Sequence, residues 1–579
     1  MMKFKKKILN EEIIFFIILL LLFLYGAIEN YTILKKDSVA SINDYEFYTS
    51  LKYYDLIKEG KIFELFKNYL FEYEHIYPPF MVLQPIPFYF LLNASQDTAA
   101  FSNIIHILIL VFSTYFIGKK LKDSYVGILS AFVLFFIPVF LPISRVYTPD
   151  FPVASFYSLS LLFLLYSDFY LKKIPSIFLG LVLAFGMLTK WTFFIYFIPI
   201  FFTLFISLII NKRLLEGFKI RIKNFIIFLL VSLVFFGHWY IFNISRIIKI
   251  LSGVNGYYEV LNRHISFLNT FSYINEVFKI SLNIYLYLLI IAIFSFFLKK
   301  TGAFFLKPKK SQSFEIEKNF EIHLLLWFIF GFIPFIKYYP NPRYLIPFFV
   351  LFSLFIGNFL RDLFLIIYHL FLFKRFSFSI SKGILFLFYI LLLFILFFSY
   401  YLHLKEVMKN QPVYLVDRTY VSGIYVPVKM DLKIDDIFSS IYNISNDGDK
   451  LLIFQYSPVL DSVINKFDYT KIKNLTFINI MECLSENQDI DIYKGCELQN
   501  LFNTQNRCDY NIVIDTDNFN KDAYNIAFVN FPKRIKYSEM LKKSWEDCKG
   551  NFELKAVFEN VYVTDFQNST LYFYKKKFK

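Results

Sequence analysis

Charge is scarce in this sequence. Of its 579 residues only 18% are charged, where a soluble globular chain carries about 25%. Apolar residues make up 57%, and 78 residues are Phe. Many apolar runs reach the roughly 18–20 residues that cross a bilayer core, and "IIFFIILLLLFLYGAI" is the first of them. This composition excludes a large soluble core and implies a polytopic α-helical membrane protein. Cysteine is missing before Cys483; all four, Cys483, Cys496, Cys508 and Cys548, lie in the last part of the chain. No GxxxxGK[ST] loop and no strand-borne GxGxxG occurs, so nothing supports ATP coupling or a dinucleotide site. The cysteines show no CxxC spacing, which disfavours a zinc site.

The net charge of +15 would suit nucleic acid if it formed one surface. It does not. Residues 404–579 hold 23 basic and 24 acidic residues, which leaves +16 on residues 1–403. That excess sits in short loops between apolar runs: "KFKKK", "GKKLKD", "NKRLLEGFKIRIKN", "LKKTGAFFLKPKK" and "FKRFSFSISK". Such loops face the cytoplasm by the positive-inside rule. The charge therefore reads as topology, and no nucleic-acid partner is expected. The first run lacks a clear small-residue cleavage site and reads as an uncleaved helix with the N-terminus inside.

About eleven spans are expected, near 12–30, 99–118, 124–143, 150–170, 174–190, 192–210, 224–242, 277–298, 321–338, 343–368 and 383–402. An odd count with the N-terminus inside places the C-terminal region outside, in a cell (plasma or inner) membrane. Residues 31–98 and 243–276 form long outer segments; the first holds 9 acidic and 6 basic residues, unlike the cytoplasmic loops. Two domains follow: a transmembrane domain over 1–402 and an extracytoplasmic α/β domain over 403–579. In the second, apolar runs shorten to strand length ("KLLIFQY", "LTFINI", "YNIVID", "NIAFVNF"), with helical stretches such as "DLKIDDIFSSIYNI".

Polar groups at the rim of a membrane domain are costly and need a reason. Outer-side candidates form four clusters: Asp44 with Glu46, followed by "EYEHIYPPF"; Arg145 and Asp150 in "SRVYTPDFP"; Lys190 in "LTKW"; and Lys337 with Arg343 in "KYYPNPRY". A carboxylate can take a proton from an acceptor hydroxyl or amine. Arg and Lys can hold a phosphate, Arg with a bidentate fork. A carboxylate pair, Asp44 with Asp150, can hold a hard divalent metal ion. Together these describe transfer of a group from a lipid phosphate to an acceptor at the outer face. Plainer roles stand beside them. Asp44 can cap a helix through "EFYTSLKYYDLIKEG". Arg145 and Asp150 can be an ion pair closing a tight loop. Lys190 can snorkel to the interface, and Arg343 can anchor a helix end. His75 reads as an interfacial polar residue. Trp191 and Trp239 read as members of the interfacial aromatic belt.

The order of these motifs resembles the GT-C superfamily of integral membrane glycosyltransferases. More closely, it is similar to the branch of dolichyl-phosphate-mannose–protein mannosyltransferases and aminoarabinose transferases. The matching stretches are Asp44 and Glu46 after the first helix, "YPPF", "SRVYTPDFPVASFYSLSLLFLLY", "GLVLAFGMLTKW" and "NPRYLIPFFVLFSLFIG", over roughly residues 10–400. The resemblance implies a polyprenyl-phosphate-linked sugar as donor and an outward-facing active site. It implies catalytic roles for Asp44 and Glu46, with Asp44 as base or metal ligand. It implies phosphate-binding roles for Arg145, Lys190 and Arg343, and a second acidic position at Asp150. Relatives carry adjacent Asp-Glu; here Tyr45 intervenes. A polytopic transporter or lipid flippase is the alternative, but no internal repeat of the kind transporters show is visible.

An even cysteine count in one outer domain implies two disulfides among three possible pairings; buried thiols are the other reading. Reduction should therefore destabilise the 403–579 domain by about 2–5 kcal/mol per bond lost. Mass spectrometry of the native protein that finds four thiols would contradict the pairing.

Overall fold

An apolar segment in lipid must satisfy its own backbone polar groups, and a single strand cannot. The long runs are accordingly helices. The computed structural model of the chain describes residues 2–36, 44–72, 78–199, 217–262, 284–305, 320–336, 342–372, 398, 434–453, 476–479, 512–516, 549–562 and 568–577. The order begins α1 Met2–Lys36, α2 Asp44–Lys58, α3 Ile62–Lys67 and a π-helical turn at Asn68–Glu72. Short helices α4 Phe80–Leu83, α5 Ile86–Leu91 and α6 Gln96–Phe101 lead to α7 Ile104–Leu121 and α8 Ser124–Phe135. Then come α9 Phe140–Ser144, α10 Asp150–Tyr166, α11 Lys173–Thr189, α12 Phe218–Asn262, α13 Ile284–Phe305 and α14 Phe320–Ile336. A 3₁₀ turn, Pro342–Phe348, opens α15 Phe349–Leu372.

Four described helical stretches are long and apolar enough to cross a membrane: Glu12–Tyr31, Gln96–Leu121, Phe218–Ser245 and Tyr344–Ile366. Shorter apolar helices include Ser124–Phe135, Asp150–Tyr166, Lys173–Thr189, Tyr285–Phe297 and Ile322–Ile333. These coincide with the expected spans. The expected 192–210 span is described only to residue 199, and 383–402 lies outside the described residues apart from residue 398. Within 31–98, the helix that Asp44 was expected to cap is α2, and α3 to α6 follow where the sequence marked no helix.

Lipid tails are as apolar as Leu, so helices associate by close contact rather than by escape from water. Small residues permit that contact. A Cβ on Gly127 of α8 would lie 2.4 Å from the Tyr115 carbonyl of α7. A Cβ on Gly357 of α15 would lie 2.2 Å from Ser130 Oγ of α8. Ser113 and Ser158 meet at 2.5 Å between α7 and α10. Phenylalanines fill the remaining space edge to face, as Phe328 does against Phe348 and Phe352, with centroids 5.3 and 5.0 Å away.

Charges gather at two ends of this bundle. Lys119 Nζ meets Glu12 Oε1 at 2.7 Å, Lys172 Nζ meets Asp168 Oδ2 at 2.5 Å, and Arg361 Nη2 meets Asp123 Oδ2 at 2.7 Å. Glu29, 17 positions beyond Glu12 on α1, lies about 26 Å further along at 1.5 Å per residue. Asp150 and Asp168 flank α10, and Lys172 and Lys190 flank α11, in the same two tiers. At the Glu12 end, Asp168, Phe169 and Tyr170 all adopt positive φ, at 47°, 55° and 67°. That conformation costs an L-residue about 1–2 kcal/mol. Arg221 Nη1 offsets it by donating to the carbonyls of Asp168 and Phe169, and Asn224 Nδ2 by donating to those of Tyr170 and Leu171.

Beyond the helices, α16 Ile434–Ile444 precedes a five-stranded sheet of β1 Lys450–Ile453, β2 Thr476–Asn479, β3 Ile512–Thr516, β4 Phe552–Tyr562 and β5 Asn568–Lys576, in the order β2-β1-β3-β5-β4. β1 runs parallel to β2 and β3; β5 is antiparallel to β3 and β4. β1, β2, β3 and α16 fall where the apolar runs predict them. β4 and β5, the longest strands described, lie outside the expected strands; "FELKAVF" in β4 alternates rather than forming an apolar block. "NIAFVNF" and the four cysteines lie outside the described residues.

Gly127→Ala should destabilise the bundle by about 1–3 kcal/mol through overpacking against Tyr115. Thermal unfolding in detergent measures it; an unchanged midpoint would contradict the close α7–α8 approach.

Candidate active site at one end of the bundle

A buried charge needs a partner, and the sequence supplies two cations and two anions where three helices end. Arg145 sits between α9 and α10 and is 1% exposed. Its Nη2 donates to Glu29 Oε1 at 2.5 Å and its Nε to Asn30 Oδ1 at 2.9 Å. Asn30 Nδ2 donates in turn to Ser144 Oγ at 2.8 Å. The end of α1 therefore holds the turn on which Arg145 sits.

Asp150 is the first residue of α10, and Lys190 caps the C-terminus of α11. Lys190 Nζ donates to Asp150 Oδ1 at 2.7 Å, with side chains 3% and 5% exposed. The placement suits both helix dipoles: the carboxylate lies at an N-terminus and the ammonium at a C-terminus. Lys190 Nζ also stands 5.5 Å from the ring centroid of Tyr344, within cation–π range. Tyr196 OH donates to the Tyr344 carbonyl at 3.4 Å. Tyr344 is the residue after Arg343 in the 3₁₀ turn. Arg343 thus joins this corner through its backbone; its side chain lies outside the described residues.

Glu46 is 1% exposed on α2. Next to it Phe47 packs in one apolar cluster with Leu51, Met81, Tyr89 and Tyr147, and Tyr147 OH donates to the Met81 carbonyl. Tyr147 lies between Arg145 and Asp150, so α2 and α4 border the same turn. Asp44 begins α2; its side chain, like His75, lies outside the described residues.

These contacts revise three plainer expectations. Arg145 and Asp150 do not pair with each other; they take Glu29 and Lys190 on different helices. Lys190 does not snorkel, because its ammonium is buried against Asp150. Trp239 is 1% exposed, packed with Tyr53, Tyr69 and Leu188, and is a core residue rather than part of an interfacial belt.

The described residues do not fit a divalent ion. Asp150 Oδ1 receives an ammonium where an ion would stand. No three His, Cys, Asp or Glu come together among the described residues. The Asp44 side chain, the other half of the expected pair, lies outside the described residues.

Sequence reasoning missed Glu29, Asn30, Gln84, Asn103, His106 and Tyr344. The signal for most was a polar residue inside an apolar run, which a window average hides.

Removing one member of the Asp150–Lys190 pair should cost about 3–5 kcal/mol, because it strands a buried charge. Asp150→Leu and Lys190→Met should each lower the thermal midpoint, and the double variant should recover most of the loss. Additive losses would contradict the pairing.

Residues 78–251 match the family described as dolichyl-phosphate-mannose-protein mannosyltransferase. No curated protein matches the sequence. The crystal structure of ArnT from Cupriavidus metallidurans in the apo state is similar at a TM-score of 0.51, covering 98% of this chain and 98% of that one at 11% identity. The Archaeoglobus fulgidus oligosaccharyltransferase in the apo form gives a TM-score of 0.50, covering 94% of this chain and 74% of that one at 12% identity. At such identities the likeness is one of fold. The chain has the fold of the GT-C membrane glycosyltransferases, and within it residues 78–251 resemble the dolichyl-phosphate-mannose–protein mannosyltransferase branch.

Proposed function

We propose that this chain is a membrane glycosyltransferase that moves a sugar from a polyprenyl-phosphate donor to an acceptor. The reading rests on one observation above the others. The segment that matches a family named for a dolichyl-phosphate sugar donor, 78–251, contains Arg145, Asp150 and Lys190, buried at one end of the bundle. In this reading the site faces outward, as the cytoplasmic placing of the basic loops argues. Residues 1–402 form the transferase domain and 403–579 an extracytoplasmic domain.

The chemistry follows from where charge moves. The bond between the anomeric carbon and the phosphate oxygen breaks, and its electron pair leaves with the lipid phosphate. A new bond forms from the acceptor to that carbon, and the acceptor proton passes to a carboxylate, Asp44. The carbon passes through an oxocarbenium-like state that a nearby carboxylate stabilises, as in glycoside hydrolysis. Arg145, Lys190 and Arg343 hold the donor phosphate. Arg145 and Lys190 each already face a carboxylate, so an arriving phosphate exchanges with Glu29 or Asp150 rather than meeting bare cations. The buried ends are thereby neutral before the donor arrives, which suits a site at a bilayer rim. Any metal ligation by Asp44 would be completed by residues other than Asp150 while Lys190 holds it.

The test is transfer of radiolabelled sugar from polyprenyl phosphate in proteoliposomes. Asp44→Asn should reduce transfer by about 100-fold or more, and Glu46→Gln by less. Arg343→Ala should raise the donor KM. Equal rates for parent and Asp44→Asn would remove Asp44 from the mechanism. Movement of intact labelled lipid between leaflets without cleavage would make the chain a transporter instead.

A further inference from the structure

A run of hydrogen bonds lies behind the Arg145 turn, and the transfer chemistry does not use it. Gln84, Ser102, Asn103, His106 and Ser155 are all buried. Gln84 Nε2 donates to Ser102 Oγ at 2.9 Å and to Asn103 Oδ1 at 3.0 Å. Both amide hydrogens are then spent, so Gln84 Oε1 accepts from His106 Nε2 at 3.0 Å, and that nitrogen carries the proton. The other ring nitrogen, Nδ1, faces Ser155 Oγ at 2.6 Å. At the far end Asn103 Nδ2 donates to the carbonyls of Ser144, at 3.1 Å, and Val146, at 2.9 Å. Those are the two residues flanking Arg145. The Val146 carbonyl also accepts from the Thr148 amide at 2.9 Å.

The network thus grips the segment 144–155 at both ends. Asn103 holds the backbone on either side of Arg145, and His106 holds Ser155, five residues beyond Asp150 on α10. Each group sets the orientation of the next. The His106 ring, placed by Ser155, fixes the Gln84 amide, and that amide fixes the Asn103 amide. The amide of Asn103 aims both hydrogens at the turn. Amide side chains buried among apolar helices are expensive unless every polar atom is used, and here the partners supplied are the carbonyls beside Arg145.

We propose that Asn103, oriented through Gln84 and His106, is a positioning residue that sets the Arg145–Asp150 turn for the donor phosphate. This rests on the transferase reading above, and its test separates the two.

The first measurement needs no activity: amide hydrogen exchange at Val146 and Thr148 in lipid nanodiscs. The second is the split between donor KM and kcat. Asn103→Leu keeps the size and loses both donors. It should speed exchange at Thr148 and raise the donor KM, each about tenfold for the loss of a buried hydrogen bond, with kcat within about threefold of the parent. His106→Phe should give the same changes at smaller size, and His106→Gln, which keeps an N–H, should fall back toward the parent. Gln84→Met carries the same expectation if Asn103→Leu fails to insert. Unchanged exchange at Thr148 in the inserted variant overturns the proposal. Faster exchange with an unchanged donor KM makes the network a structural brace and also overturns it. A parent protein that transfers no sugar contradicts the transferase reading and, with it, the donor role of the turn, whereas a transferring parent whose Asn103→Leu variant keeps the parental donor KM overturns the positioning claim alone.

Discussion

Lys190 Nζ lies 2.7 Å from Asp150 Oδ1 with almost no water access. Desolvating either ion alone would cost several kcal/mol, so the two helix ends that carry them must meet. Much else depends on that requirement. It fixes the N-terminus of α10 against the C-terminus of α11. It draws in the Tyr344 ring, and with it the 3₁₀ turn that bears Arg343. A second pair, Arg145 with Glu29, does the same for α1. Two ion pairs and one cation–π contact therefore join four separate stretches of chain at one end of the bundle. The pairs at the opposite end, Glu12–Lys119, Asp168–Lys172 and Asp123–Arg361, are more exposed and so hold more loosely.

That contrast separates a site from an anchor. Exposed pairs at a membrane face need only keep loops in water and orient helices. The buried pairs at the other end of the bundle keep charge available without leaving it bare. A donor whose phosphate rides at the end of a lipid meets such charges without leaving the membrane. A lipid-borne donor needs no soluble nucleotide site, and the sequence carries no GxxxxGK[ST] loop.

The helices were legible because apolar length is the strongest signal a sequence carries. So were Arg145, Asp150 and Lys190, since a charge beside such a run stands out. Their partners were not. Glu29 and Asn30 end the first apolar run and were absorbed into it. His106 and Asn103 lie in or beside the next helix, where one polar residue barely moves an average. Pairing across more than a hundred residues is a property of helix packing, which local pattern does not contain. Within 31–98 only α2 was legible, from "EFYTSLKYYDLIKEG"; the helices after it were not, for a related reason. They are short and mixed in character, and α4 and α5 are set off by Pro79 and Pro85, which read in sequence as loop. In the sheet, the three strands that are apolar blocks were found. β4 alternates as "FELKAVF", with no continuous apolar run to mark it.

The central claim is that the donor phosphate sits at the buried-pair end. A photoactivatable polyprenyl phosphate, added to the intact protein in nanodiscs and mapped by mass spectrometry, tests this directly. The account predicts cross-links within 144–150, 190–196 and 342–348, competed by unlabelled polyprenyl phosphate. Competable cross-links confined to 119–123 and 168–172, at the exposed-pair end, would contradict it.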